Sequence, residues 1–365
     1  MKKNILLLIL TFLTTGISAQ VFTNKKVKKK TVNDTISDYP YSLPILGKKA
    51  FEQGYDLPYS AGLSVNYMWQ ESSILIKDLN VGFNGGTKFS LDNIVRFNEA
   101  TASSNVVNFR PDIWVFPFLN IYGILATSRT STLVDFTIRV PNGLGYTEVL
   151  NTSTKAEFSG TTAGFGITPT FGVAGGFVAL DLNVTWTDIP ELDKPSRIFV
   201  FGPRVGKNFK FKDSEKALAI WVGGFRVDMN SATDGQLAVG DLFSGDDLTS
   251  KIESGYIRLD EAQNSLDTWW AGLTPKEQAQ NAAKKAAAQV AINKANGILG
   301  EVEQTVDNVG NSTIEYGLSK RQENLWNLII GAQFQLNKSL MFRVEGGFLG
   351  TRNQVLAGIQ YRFGL

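Results

Sequence analysis

The chain has 365 residues, 36 of them basic and 34 acidic, and it contains neither cysteine nor histidine. Those absences exclude disulfides, thiolate metal sites, a lipidated cysteine, Ser-His-Asp triads and imidazole-ligated metals, so no catalytic residue, cofactor or metal is expected. A net charge of +2 excludes nucleic acid as the main partner, because phosphate binding needs a concentrated basic surface.

Residues 1–19 begin Met1-Lys2-Lys3, run through an apolar stretch from Ile5 to Leu13, and end Gly16-Ile17-Ser18-Ala19. A basic start, a short apolar run and small residues before the cut are the marks of a secretory signal peptide, with cleavage expected after Ala19. No later stretch approaches the ~18 apolar residues of a transmembrane helix, so the exported chain is either soluble or inserted as a β-barrel. A mean hydropathy of -0.06 does not separate the two, because a barrel strand is only half apolar.

Residues 20–60 carry Lys25, Lys26, Lys28, Lys29 and Lys30, then Pro40, Pro44 and Pro58. They are expected to form a solvated periplasmic segment, or a partial plug through Tyr41, Leu43, Ile45, Leu46 and Phe51. From residue 61 to 230 the pattern becomes alternation, poor between residues 71 and 104. Leu63, Val65, Tyr67 and Trp69 oppose Ser64, Asn66 and Gln70; Val107, Phe109, Ile113 and Val115 oppose Asn108, Arg110 and Asp112. Val134, Phe136, Ile138 and Val140 oppose Asp135, Thr137 and Arg139. Phe165, Ile167 and Phe171 oppose Gly166, Thr168 and Thr170; Val178, Leu180, Leu182, Val184 and Trp186 oppose Asp181, Asn183 and Thr185. Strand side chains alternate between faces, so each segment has one greasy row and one polar row.

Residues 231–322 break this rule. Thr274-Pro275-Lys276-Glu277 is a capping box with Pro at the first helical position, and it opens an Ala-, Lys- and Gln-rich helix expected to stop at Gly297. Its apolar stripe reads as Ala287, Val290, Ala291, Ile298 and Leu299. Trp269 and Trp270 lie in a shorter helix before it and are lid candidates. Alternation returns over residues 323–365, where Trp326, Leu328 and Ile330, then Phe342 and Val344, then Val355, Ala357, Ile359, Tyr361 and Phe363 form the apolar rows.

Crossing a band of ~25 Å at ~40° tilt takes about ten residues. The segments fit that length better than the five or six of ordinary strands, which favours a membrane barrel over a soluble β-sandwich. Together with the signal peptide and the ending Gln360-Tyr361-Arg362-Phe363-Gly364-Leu365, the pattern resembles the outer-membrane β-barrel proteins of Gram-negative bacteria, porin-like in architecture. In that group the last strand ends in an aromatic read by the barrel-assembly machinery; here Leu365 is last and Phe363 stands two before it.

The resemblance implies an all-β, transmembrane, antiparallel up-and-down barrel in the cell outer membrane, with both termini periplasmic and the helical insertion extracellular. About thirteen segments are visible; because such barrels close with even numbers, twelve strands are expected, within a range of 10–14. With the greasy rows on outer-membrane lipid, Arg110, Asp112, Asp135, Arg139, Asp181, Arg343, Glu345 and Arg362 are expected to line the lumen. The expected function is to pass or bind an unknown small solute, hydrophobic solutes included, without enzymatic activity. The alternatives are an anchor displaying a helical interaction domain, or a histidine-independent hydrolase using Asp112, Asp135 and Glu345.

Overall fold

A computed structural model describes residues 39–53, 55–229, 232–238, 247–307 and 313–365. The expected signal peptide and the Lys25–Lys30 run lie outside the described residues. In chain order the strands are β1 Ala61–Phe83, β2 Phe89–Ser90, β3 Val95–Phe116, β4 Leu119–Pro141, β5 Tyr146–Val173, β6 Gly176–Asp188, β7 Ser196–Lys210, β8 Ala217–Met229, β9 Ala232–Ala238, β10 Thr313–Gln322, β11 Trp326–Gln335, β12 Leu340–Phe348 and β13 Arg352–Phe363. The helices are α1 Gly47–Glu52, α2 Asp247–Ala271 and α3 Pro275–Asp307.

Every pairing is antiparallel. β1 pairs with β3 from Ala61↔Ile113 to Ser73↔Thr101, and on its other side with β13 from Ala61↔Phe363 to Ser72↔Arg352. That second pairing closes the sheet β1-β3-β4-β5-β6-β7-β8-β11-β12-β13 into a ten-stranded barrel. Ten strands lie at the lower end of the expected range of 10–14 and two below the best expectation of twelve, with β2, β9 and β10 standing outside the ring. The difference has a physical cause. β3, β4 and β5 are 22, 23 and 28 residues long, far beyond a bilayer crossing, so strand number does not follow from dividing the chain into segments of bilayer length.

The surplus length rises from one end of the barrel. Beyond Ser73, β1 leaves β13 and takes β10 as its partner, from Ile74↔Gln322 to Phe83↔Ile314, and β9 pairs with β10 in turn. A bulge at Asp78 (φ 54°) interrupts the register between Lys77 and Asn80, and the Asp92 carboxylate accepts the Leu79 amide at 2.9 Å. The extra residue shifts the phase of the strand, so Ile74 and Ile76 before it and Leu79, Val81 and Phe83 after it all face the concave side. Between β6 and β7, Leu192 bridges to Gly235 of β9, which brings the far edge of this extension back toward the ring. The β3–β4, β5–β6, β7–β8 and β11–β12 turns share the opposite end with the C-terminus and with the start of β1.

At that terminal end, residues 39–60 run along the rim rather than into the bore. The Leu43 amide donates to the Leu365 carbonyl at 3.2 Å and the Ile45 amide to Val115 at 2.8 Å. Lys210 pairs with Asp56. Ile45, Leu46 and Phe51 stay exposed, so they form no plug.

The helices pack against the extension. The capping box forms as expected, with the Thr274 hydroxyl donating to Glu277 Oε2 at 2.6 Å and the Glu277 amide donating to Thr274 Oγ at 3.4 Å. The Thr274 hydroxyl and the Thr274 amide, both donating to it, hold the Glu277 carboxyl below its ordinary pKa. The helix does not stop at Gly297 but continues to Asp307. A mid-helix glycine costs about 1 kcal/mol relative to alanine, and burial of Ile298, Leu299 and Val302 just beyond it outweighs that cost. The buried stripe is Ala288, Ala291, Ile292, Ala295, Ile298, Leu299 and Val302; Ala287 and Val290 are exposed, one step off the expected row.

Inside the ring, large inward side chains demand small neighbours. An ideal Cβ on Gly166 of β5 would lie 2.4 Å from the Tyr122 ring and 2.6 Å from the Leu182 carbonyl oxygen. Gly166→Val is expected to lower stability by about 1–3 kcal/mol through overpacking, whereas Ala163→Val on the outward face of the same strand is expected to be neutral. The temperature at which each refolded barrel loses its compact mobility on a denaturing gel measures the difference.

Candidate functional site

The outer surface of the ring decides what surrounds it. Leu63, Val65, Tyr67, Val107, Phe109, Leu125, Phe165, Ile167, Phe199, Val205, Ile220, Val222, Ile330, Phe342, Val344, Val355 and Ile359 project outward from all but one of the ring strands. Each is well exposed, from 37% for Ile167 to 58% for Phe165. Among the described residues no second sheet covers them, so this apolar belt has hydrocarbon as its counterpart. The chain is a membrane-spanning β-barrel.

No family of known sequences and no curated protein matches the chain. Among solved structures it is similar to the β-domain of the Bordetella autotransporter BrkA, at 8% identity and a TM-score of 0.30, over 83% of this chain and 100% of that one. It is also similar to the translocator domain of the autotransporter NalP from Neisseria meningitidis, at 9% identity and a TM-score of 0.31, over 86% and 92% of the two chains. An outer-membrane channel from Pseudomonas putida matches at 10% identity and a TM-score of 0.27, over 84% and 96%.

The barrel interior holds two unlike compartments. Within the ring the inward residues are polar and largely consumed by one another. Arg204 of β7 bridges Asp181 of β6 at 3.1 Å and Glu345 of β12 at 3.3 Å, with all three side chains almost fully buried. Glu345 also accepts from Arg343 at 3.0 Å and from the Trp221 indole at 2.9 Å. The Tyr122 hydroxyl donates to Asp181, whose carboxylate also accepts from Thr168 at 3.1 Å, and the Arg110 guanidinium lies 3.4 Å from the centre of the Tyr122 ring. Nearer the terminal end, Asp112 takes Arg362 at 3.0 Å, Gln360 at 2.7 Å and Asn120 at 2.7 Å. A polar cavity of about 160 Å³ remains beside this network, bordered by Ser64, Asn66, Thr170, Gln333 and Gln335.

Six of the eight charges expected inside are brought together here: Arg110, Asp112, Asp181, Arg343, Glu345 and Arg362. Arg204, the centre of the network, was not singled out in the sequence. It follows Pro203 and precedes Val205 and Gly206, and the short run of polar and apolar residues around it conceals its phase. Asp135 and Arg139 do not join the others. Val134, Phe136 and Ile138 of β4 face inward, so alternation turns Asp135 and Arg139 to the outer side of the extension, where Arg139 lies 4.7 Å over the Tyr146 ring. Their expected lumenal placement is thus corrected. The apolar row they oppose lines a cavity and not the membrane. Among the described residues, no three acidic side chains gather where they would hold a metal ion.

The second compartment lies in the extension. It is an apolar chamber of about 240 Å³ walled by Ile74, Ile76, Val81 and Phe83 of β1, Val95 and Phe97 of β3, Val134, Phe136 and Ile138 of β4, Leu150, Ala156 and Phe158 of β5, and Ile314 and Leu318 of β10. Ile298, Leu299 and Val302 of α3 supply its roof. Its polar lining is sparse: Thr132, Thr154, Thr233, Tyr316 and Lys320. Burial, with Glu191, Asp193 and Asp234 adding to it, pushes the Tyr316 hydroxyl up to about 12, so it remains a neutral donor. Lys320 is the one charged side chain of the lining, and burial pulls its ammonium below the ordinary lysine value.

Trp269 and Trp270 line neither compartment. They sit at the far end of the helical hairpin, where Trp269 covers Gly143 in the β4–β5 turn. An ideal Cβ there would fall 2.6 Å from the indole, and the φ of 90° also calls for glycine. Lys284 lies 4.8 Å above the Trp269 ring and donates to the Gly143 carbonyl at 2.7 Å. Trp269 therefore clamps the hairpin to the sheet, Trp270 packs within the hairpin against Trp269 and Lys285, and the roof over the chamber is aliphatic.

Removing Arg204 while its carboxylates remain leaves buried charge uncompensated. Arg204→Met is expected to destabilise the barrel by about 3–5 kcal/mol, and adding Asp181→Asn to that variant is expected to recover part of the loss. Urea unfolding in detergent, followed by tryptophan fluorescence, measures both.

Proposed function

We propose that this barrel takes up a small apolar solute in the chamber beneath α3, with the insertion end facing the cell exterior, and that the chamber is the first station of its passage. The observation that supports this reading is the contrast between the two compartments. The chamber is walled by aliphatic and aromatic side chains and closed by a helical roof, whereas the ring below it is filled by ion pairs that exclude an apolar molecule at rest. Apolar cavities of about 150 Å³ accept benzene, so this one has room for a substituted ring or a medium aliphatic chain. Onward passage requires the Arg204 network to rearrange, and the resting bore is closed to ions.

The helical hairpin spends its apolar stripe on the roof and the adjoining sheet. That leaves little with which to dock a protein partner and favours a lid over a displayed interaction domain.

Refolded protein in lipid nanodiscs is expected to enhance the fluorescence of the neutral probe N-phenyl-1-naphthylamine above the level of empty discs. Ala156→Trp, which fills the chamber from β5, is expected to weaken binding at least tenfold. Undiminished binding by that variant, or a steady single-channel conductance of the resting wild type in a planar bilayer, would contradict the proposal.

A further inference from the structure

The chamber wall contains an anomaly that an apolar solute does not explain. Lys320 stands on β10 opposite Ile76 of β1, on the same inward row as Ile314, Tyr316 and Leu318. No hydrogen bond or ion pair joins its ammonium to another described residue, and no acidic side chain lines the chamber. An unpaired ammonium against hydrocarbon is unfavourable unless its head reaches water or meets an anion. The rest of β10 shows that the position does not need a cation: its inward neighbours are apolar or aromatic, and its register is set by backbone pairing.

We propose that the chamber's occupant is a monocarboxylic acid with an apolar tail, its carboxylate paired with Lys320 and its tail lying against Val134, Phe136 and the α3 roof. This rests on the reading of the chamber as a solute site. The charge selects the head group. One lysine neutralises one negative charge, which matches a carboxylate better than a phosphate or a sulfated sugar, whose recognition draws on several cations or on bidentate arginine. The wall selects the tail, since each methylene transferred from water contributes about 0.8 kcal/mol. An ion pair formed beside this wall is screened less than one in water, so the head group adds selectivity to an affinity that the tail supplies.

The test compares decanoate with decanol, which share a tail and differ in the head, by isothermal titration against the full protein in nanodiscs, with empty discs subtracted. Wild type is expected to bind decanoate at least tenfold more tightly than decanol. Lys320→Met is expected to lose that preference by weakening decanoate alone, while Lys320→Arg keeps it. Heat-dependent gel mobility confirms that each variant is folded. Equal affinity of wild type for acid and alcohol, or equal loss of both in Lys320→Met, overturns the inference and leaves the chamber standing. Failure of both ligands to bind wild type removes the chamber reading and this inference with it.

Discussion

A strand that passes out of a bilayer keeps its pleat while the media on both of its sides exchange character, and this constraint organises the protein. Within the ring the outward row meets hydrocarbon and the inward row meets polar side chains. In the extension the outward row meets water and the inward row must build a core. β4 undergoes the exchange without a break: Ile121 and Leu125 point out, and Val134, Phe136 and Ile138 point in. β5 does the same between Ile167 and Phe165, which are exposed to lipid, and Phe158 and Ala156, which line the chamber, while Lys155 and Glu157 form an ion pair on the wet side. β1 needs its bulge at Asp78 to keep a continuous greasy row inside.

Much of this was legible in the residues. The outward rows of β1, β11, β12 and β13, the six charges of the bore and the capping box of α3 follow from period and composition, because each depends on local alternation or on a local hydrogen bond. The phase exchange was present as well, in β4, where the apolar positions move from odd to even numbers between Leu125 and Val134. Alternation alone does not say which side holds lipid, and that single ambiguity placed Asp135 and Arg139 in the lumen. Arg204 and the chamber were hidden for a different reason. Their partners, Glu345 for the arginine and the β1 and α3 residues for the chamber, are remote in the chain, and nothing local marks them as neighbours.

The small circumference of a ten-stranded ring accounts for the character of the bore. Inward side chains of strands that are not neighbours reach one another, so Arg204 on β7 meets Glu345 on β12 across β8 and β11, and Tyr122 on β4 meets Asp181 on β6 across β5. Such contacts fill the space that a wider barrel leaves to water. The polar interior is therefore largely filled by ion pairs, with a cavity of about 160 Å³ beside them, and the larger apolar cavity lies in the extension, where the helices cover it.

β1 also fixes an order of assembly. Its first half is held by the last strand of the chain and its second half by β10, so both unions join positions far apart in sequence. Contacts of such separation form late, after the cost of closing long loops has been met. A partly inserted barrel, still open along the seam between β1 and β13, has no completed wall above it. The chamber wall is complete only where β1 meets β10, a union nearly as remote in sequence as the seam that joins β1 to β13.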